Sequence, residues 1–233
     1  MSGFRSETGI AIGPILFIIA LLAIIATAIA AGSSSFSSGS DQEKARTYAG
    51  AILDYAASLR HAVQRVMANG CTENQISFEN PVASGYTNAA APADKHCHIF
   101  DIAGGGMLWY NFTNQIPSLT TSLGISSSVR IQNLGSGNAA LVMFFGTSAA
   151  DTLLINTCLA INDLLKIPNN AGAAPIDNWT SGNSPYSPFA GSYNDSTPSV
   201  IGDNYAPLAG KMGGCLSTSG TASIWPFFVL LVR

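Results

Sequence analysis

Charged side chains are scarce in this sequence. Asp, Glu, Lys and Arg make up 10% of the 233 residues, against roughly 25% in an average soluble domain. This scarcity excludes a disordered acidic or basic tail, because such chains are rich in charge and poor in apolar residues. The chain has no stretch rich in Lys or Arg. The basic surface that binds phosphates is therefore missing, and we expect no nucleic acid among the partners.

Recognisable catalytic motifs are missing as well. The sequence holds no glycine-rich phosphate loop, no nucleophile elbow and no zinc-protease helix. It contains 3 histidines, and carboxylates are sparse after residue 70, which leaves little for acid–base or paired-carboxylate catalysis. We therefore expect a protein that is not an enzyme and that carries no cofactor.

A long apolar segment lies near the start of the chain. Residues 10–31 carry no charged side chain over 22 positions. A helix of that length spans roughly 33 Å, which is enough to cross the hydrocarbon core of a bilayer. The sequence therefore predicts a transmembrane helix over 10–31. The alternative is a signal peptide cut before Ala31, at the A-x-A sequence of residues 28–30. Both interpretations export the rest of the chain.

Small residues recur along this segment at helical spacing and form two rows. Such rows let apolar helices approach closely, so they predict a self-association face. A proline near the start of the helix costs little, because the backbone donor it removes has no helical partner there. The residues assigned to this assembly helix are Pro14, Ala23, Ala26, Thr27, Ala30 and Ala31.

An amphipathic helix is predicted over residues 41–70, after a flexible Gly/Ser-rich break at 32–40. Ser40 and Glu43 have the spacing of a capping box, and Gly70 is a plausible end. Apolar residues then recur at intervals of three and four, which places them on one helical face and predicts packing on the following domain. That face consists of Tyr48, Ile52, Tyr55, Leu59, Val63 and Val66.

The remainder, residues 71–233, is predicted to be a β-rich head. Strands are expected at 98–102, 107–112, 128–133, 139–145 and 223–232, since these runs are apolar or β-branched and are bounded by Gly, Ser or Asn. A second helix is expected over 151–166, capped by Ser148. Residues 167–215 form a long stretch rich in Asn, Ser, Gly and Pro.

Four cysteines predict two disulfides in an exported chain. Three pairings exist. We favour Cys71–Cys97 and Cys158–Cys215, because each closes a loop between neighbouring segments, and the second would staple the stretch 167–215.

Metal ligands are weak candidates in this sequence. The adjacent residues His96, Cys97 and His98 project poorly onto one zinc ion and lack the usual ligand spacing. Calcium could use oxygen atoms of the Asx-rich stretch, although Asx residues are also routine in turns. The residues considered for calcium are Asn169, Asn170, Asp177, Asn178, Asn194, Asp195, Asp203 and Asn204.

The layout resembles that of type IV pilins and pseudopilins. A short polar leader ends at Gly9, an apolar helix begins at Ile10, an amphipathic extension reaches Gly70, and a cysteine-bearing head follows. The resemblance implies cleavage after Gly9 by a prepilin peptidase and N-methylation of Ile10. The family usually has Glu at the fifth mature position. Here that residue is Pro14, which fits a minor or divergent subunit.

The resemblance implies an α+β fold: a long N-terminal helix, with a membrane half and an amphipathic half, packed on a small antiparallel sheet with a disulfide-stapled loop. It implies a leader at 1–9, insertion in the inner membrane through 10–31, and a later periplasmic or extracellular filament. The partners would be copies of the chain or other pilin-like subunits. The alternative function is an anchored or secreted binding protein or adhesin that recognises its target through 167–215.

Overall fold

The computed structural model describes residues 12–114, 116, 119, 123–145, 151–177, 187–218 and 223–233, with side chains from residue 40 onward. The chain divides into two compact units, Met1–Glu43 and Lys44–Arg233. The predicted leader at 1–9 and the predicted processing residues Gly9 and Ile10 lie outside the described residues.

Helix α1 comprises Ile12–Ala68. Its backbone is helical through residues 32–40, where the sequence analysis placed a break; Gly and Ser disfavour a helix by only about 1 kcal/mol or less each and do not forbid one. The predicted end is confirmed. The amide of Cys71 donates to the carbonyl of Val66 (3.2 Å), and Gly70 adopts a φ of 100°, the left-handed conformation that commonly ends helices. The residues assigned to the assembly face lie on the helical backbone of the first unit.

The predicted apolar face of α1 is confirmed within the second unit. Ile52, Leu59, Val63 and Val66 are at most 1% exposed, and Tyr48 and Tyr55 are half-buried against the same cluster. Several alanines share this face and allow the helix to lie close to its neighbours.

The second unit is built on one five-stranded sheet with the order β3-β1-β2-β5-β4. Strand β3 pairs parallel with β1, and the other three pairings are antiparallel, so the sheet is mixed. The strands are β1 Gly124–Ile131, β2 Ala140–Phe144, β3 Ser199–Ile201, β4 Gly213–Ser217 and β5 Ile224–Leu231.

Both faces of this sheet are buried. Along β2, Leu141 and Met143 belong to the cluster that contains α1, whereas Val142 and Phe144 belong to a second cluster on the other face. Successive side chains of a strand point to opposite faces of the sheet. A strand that is covered on both faces therefore needs an unbroken run of apolar residues. The predictions of strands at 139–145 and 223–232 are thus confirmed, with slightly different bounds.

An irregularity in β1 exchanges the faces of the strand. The pairing with β2 shifts between Ser126 and Val129. Ile125 therefore packs with α1, while Val129 and Ile131 pack on the second face, although all three have odd numbers. An extra residue in one strand has this effect because the side-chain period is two.

Part of the stretch 167–215 packs on the second face of the sheet, while Phe189 from the same stretch packs in the cluster that contains α1. Ile167, Ile201 and Leu208 are at most 2% exposed and pack in the second cluster with Phe227 and other strand residues. The stretch also contains β3 and the start of β4, neither of which the sequence analysis predicted. Its apolar side chains therefore have a structural role in the core.

The second helix, α2, comprises Thr152–Leu164. Its N-cap is Asp151, whose Oδ1 accepts a hydrogen bond of 2.8 Å from the amide of Leu154. The predicted cap, Ser148, lies outside the described residues. The helix itself is confirmed, with shorter bounds than 151–166.

Two predicted strands are wrong. Residues 98–102 form turns apart from a single β-bridge between His98 and Ser77, and residues 107–111 are irregular. Phe112–Asn114 form a single 3₁₀ turn. The carbonyl of Asp101 accepts hydrogen bonds from the amides of both Gly104 and Gly106, which closes a tight loop instead of a ladder. The prediction failed because a glycine-rich sequence between two apolar runs is compatible with such a loop as well as with a hairpin.

The predicted fold class is also wrong. The sheet is five-stranded and mixed, not small and antiparallel. Within the described part of the chain, no helix combines the length and the apolar character needed to cross a bilayer, so the predicted membrane half is not found. The same finding overturns the predicted location in the inner membrane through residues 10–31.

Leu59 tests the contribution of the α1 face to stability. Leu59→Ala removes a fully buried side chain, and we expect the free energy of unfolding of the whole chain to fall by about 2–5 kcal/mol. Ser58→Ala, at the exposed neighbouring position, should change it by less than about 0.5 kcal/mol. Chemical denaturation measures both. Equal effects would contradict the packing of this face.

Candidate functional site

The two predicted disulfides are both present. Cys71, just after α1, is bonded to Cys97 in the loop that follows. Cys158 in α2 is bonded to Cys215 in β4. The described residues contain no free cysteine. The second bond joins the helix that precedes the stretch 167–215 to the strand that ends it, as the sequence analysis predicted.

His96 lies beside the first disulfide. Its ring nitrogen and the sulfur atoms of Cys71 and Cys97 are within 4.8 Å of one another. Metal binding at cysteine requires a thiolate, and both sulfur atoms are used in the disulfide. The ring nitrogen Nδ1 of His96 contacts the carboxylate of Asp94 at the surface. In the oxidised chain, this group therefore lacks the donors that zinc prefers.

A groove of about 520 Å³ lies along α1 in the second unit. Arg60 forms its polar end. Its Nε donates to the carbonyl of Val229 (2.8 Å) and its Nη2 to that of Met212 (3.3 Å), so the helix is tied to β5 and to the residue before β4. Partial burial lowers the pKa of the Arg60 guanidinium. The rest of the lining is mainly apolar: Leu53, Ala56, Ala57, Leu165 and Phe228.

A buried amide connects α2 to β4, and sequence reasoning missed it. Asn162 is 0% exposed. Its Nδ2 donates to the carbonyl of Cys215, and its Oδ1 accepts from the amide of the same residue, at 2.9 and 2.8 Å. Nδ2 also donates to Oδ1 of Asn169 (2.9 Å). This reciprocal pairing holds the disulfide partner strand in register. The sequence does not indicate this pairing, because a single Asn in a helix has no distinctive pattern around it.

The oxygen donors considered for calcium are mostly dispersed. Asn169 belongs to the α2 junction, Asn170 bonds back to Ala173, and Asp195 bonds to Arg233. Asn178 lies outside the described residues. The structure brings together three members of the set, Asp177, Asp203 and Asn204.

Asp177 is the one fully buried carboxylate among the described residues. Its amide donates to the carbonyl of Ser217, and its Oδ2 accepts from the amide of Gly202 at 2.6 Å. Burial, followed by the neighbouring Asp203 carboxyl, raises the pKa of Asp177 to about 6. The carboxylate thus ties the 173–177 segment to the turn after β3.

A second ionic cluster surrounds the last residue of the sequence. The guanidinium of Arg233 donates to the carboxylates of Glu73 (3.1 Å) and Asp195 (2.9 Å) and lies 4.0 Å from the centre of the Tyr193 ring. It therefore joins the segment after α1, the last strand and the stretch 167–215. Sequence reasoning missed it, because Glu73 and Asp195 are far from each other and from Arg233 along the chain.

One loop exposes large apolar side chains. Ile102 and Leu108 are 95% and 83% exposed. The loop is held to α1 by Tyr55, whose hydroxyl donates to the carbonyl of Leu108 (3.1 Å). Burial raises the pKa of Tyr55 to about 12, so this hydroxyl keeps its proton near neutral pH. Exposed apolar side chains of this size are candidates for a contact surface.

Comparison with protein-family models, with curated proteins and with solved structures finds no match to this chain.

The two disulfides have a direct test. The intact mass of the purified chain should be about four daltons below that of the reduced chain, because each bond removes two hydrogen atoms. Replacing Cys158 and Cys215 by Ala should lower the free energy of unfolding by about 2–5 kcal/mol.

The matched control is the same replacement at Cys71 and Cys97. It should cost less, because that bond spans 26 residues instead of 57 and constrains the unfolded chain less. Four free thiols in the purified chain would contradict the assignment of both bonds.

Proposed function

We propose that this chain is a non-enzymatic structural subunit of a filament similar to a type IV pilus or a type II secretion pseudopilus. Helix α1 is the observation that carries the proposal. Residues 10–31 are uncharged, and from residue 12 onward they belong to this helix. The same helix also carries the apolar face that packs on the sheet. The C-terminal part of such a helix can pack within the folded unit, while its N-terminal part can pack against neighbouring subunits.

The apolar residues supply the driving force for assembly. Each fully buried Leu, Ile, Val or Phe side chain contributes about 1.5–3 kcal/mol relative to exposure to water. A run of 22 residues without a charge is therefore strongly favoured to associate with a similar surface. The rows formed by Ala23, Thr27 and Ala31, and by Ala26 and Ala30, would let neighbouring helices approach closely.

Two further features support the proposal. Two disulfides favour an oxidising periplasmic or extracellular compartment, which is where filaments of this kind lie. The exposed loop bearing Ile102 and Leu108 offers a contact surface on the folded unit. Pro14 stands where the family has Glu, which favours a minor or divergent subunit over a standard major one.

Processing gives the sharpest test of the proposal. We expect the mature chain to begin at N-methylated Ile10, because the prepilin peptidase cuts after a glycine. Mass spectrometry of the N-terminal peptide from the native host measures this. Gly9→Val should leave the longer precursor, while Gly3→Val, at the other glycine of the leader, should be processed normally.

A mature chain that begins at Ala31 would contradict the filament proposal. It would favour the secreted binding protein, which would use the exposed turns of 167–215. Normal processing of Gly9→Val would contradict the assigned cleavage site.

Assembly is tested by the small residues. Replacing Ala26 and Ala30 by Leu should sharply reduce recovery of the chain in sheared filaments, because bulk on this row separates neighbouring helices. The control compares the single replacements Ala26→Leu and Ala28→Leu. They add the same hydrophobicity about 160° apart around the helix, since successive residues are about 100° apart. Quantitative immunoblotting of the filament fraction measures the difference. Equal recovery of the two variants would contradict this assembly face.

A further inference from the structure

The carboxylate of Asp177 is buried without a complete set of partners. The residue is 0% exposed. Oδ2 accepts a hydrogen bond from the amide of Gly202. Oδ1 is also buried, and no donor among the described residues bonds to it. Burying a carboxylate oxygen without a donor or a cation is costly. Oδ1 therefore needs a proton or a cation as its partner.

A second carboxylate lies close to the first. The Asp203 carboxyl and the backbone amide of Asn204 are both within hydrogen-bonding reach of the Asp177 carboxyl. Asp203 and Asn204 are exposed, and Nδ2 of Asn204 donates to Oδ1 of Asp203 (3.3 Å). Two neighbouring carboxylates repel unless a proton or a cation lies between them.

The turn that presents these residues is held in place by its backbone. Gly202 adopts a φ of 90°, and a Cβ there would lie 2.8 Å from the amide nitrogen of Ala209. The turn therefore requires glycine. On the other side, the amide of Asp177 donates to the carbonyl of Ser217, the last residue of β4. The two carboxylates are thus presented from two well-defined backbone segments that are far apart in sequence.

We propose that Asp177 and Asp203 form a calcium-binding site, with Oδ1 of Asp177 as the inner ligand. Calcium accepts carboxylate, carbonyl and water oxygens in a flexible arrangement, so two carboxylates and solvent on the exposed side suffice. Magnesium demands a near-ideal octahedron, which two fixed carboxylates satisfy less readily. The bound ion would join the segment before residue 178 to the turn after β3 and so fasten the cover on the second face of the sheet.

The experiment uses the whole oxidised chain and calcium chloride alone, in chelator-treated buffer at about pH 7.5. Calorimetric titration should show one site with a dissociation constant on the order of 0.1–1 mM, as for weak extracellular calcium modules. The thermal midpoint should rise with calcium concentration by mass action. Magnesium at the same concentration should give a clearly smaller rise.

Two variants locate the site. Asp203→Asn changes an exposed residue, so it should fold, and it should weaken calcium binding at least about tenfold by removing one charged ligand. Asp177→Asn should abolish the calcium-dependent rise. In chelator, both variants should be at least as stable as the parent chain, because each removes the repulsion between the carboxylates. Glu79→Gln, which removes an exposed charge elsewhere, is the matched control and should bind calcium like the parent.

Three outcomes would overturn the proposal. The first is the absence of any calcium-dependent rise in the parent chain up to about 10 mM, beyond the usual range of such sites. The second is a rise that persists in Asp203→Asn and Asp177→Asn. The third is an equal rise with magnesium, which would overturn the assignment to calcium. A carboxyl pair that only shares a proton would give the first outcome, with stability in chelator falling as the pH rises through about 6.

Discussion

Strands β2 and β5 are apolar on both faces, so this sheet needs a cover on each side to be stable. Helix α1 covers one face with Ile52, Leu59 and their neighbours. On the other face, Ile167 and Leu208 from the described part of the stretch 167–215 pack against the strands. Helix α1 is a long regular element, whereas the second cover has little regular secondary structure. The polar, loop-rich stretch has to be held on the sheet by other means, and most of the unusual contacts in the structure do this.

Those means are placed at the ends of the cover. The bond between Cys158 and Cys215, with the reciprocal amide pairing of Asn162, fixes the position of α2 against β4. Arg233 fixes another point through Asp195, and Asp177 fixes the turn after β3. Each contact joins segments far apart in sequence. Together they replace the regular secondary structure that this face of the sheet lacks.

The way in which the two faces of the sheet are covered is relevant to the proposed function. In the proposed filament, the α1 face that covers the sheet would not be available to neighbouring copies. The exposed loop at Ile102 and Leu108 is a candidate surface for such contacts within the second unit. The proposed calcium site lies elsewhere in the chain, at Asp177 and the turn after β3.

Local pattern was enough to predict the face of α1, the end of the helix at Gly70, helix α2 and strands β2 and β5. Each depends on periodicity or on a terminating glycine within a short window. The favoured pairing of the cysteines is confirmed, although the sequence alone left two other pairings open.

The parallel strand β3, the exchange of faces in β1, the buried carboxylate of Asp177 and the Arg233 cluster were decided only by tertiary structure. The three-residue strand β3 is stable because it pairs with the edge that β1 offers. A buried charge or amide is tolerated only where distant segments supply its partners. No local window of sequence contains those partners.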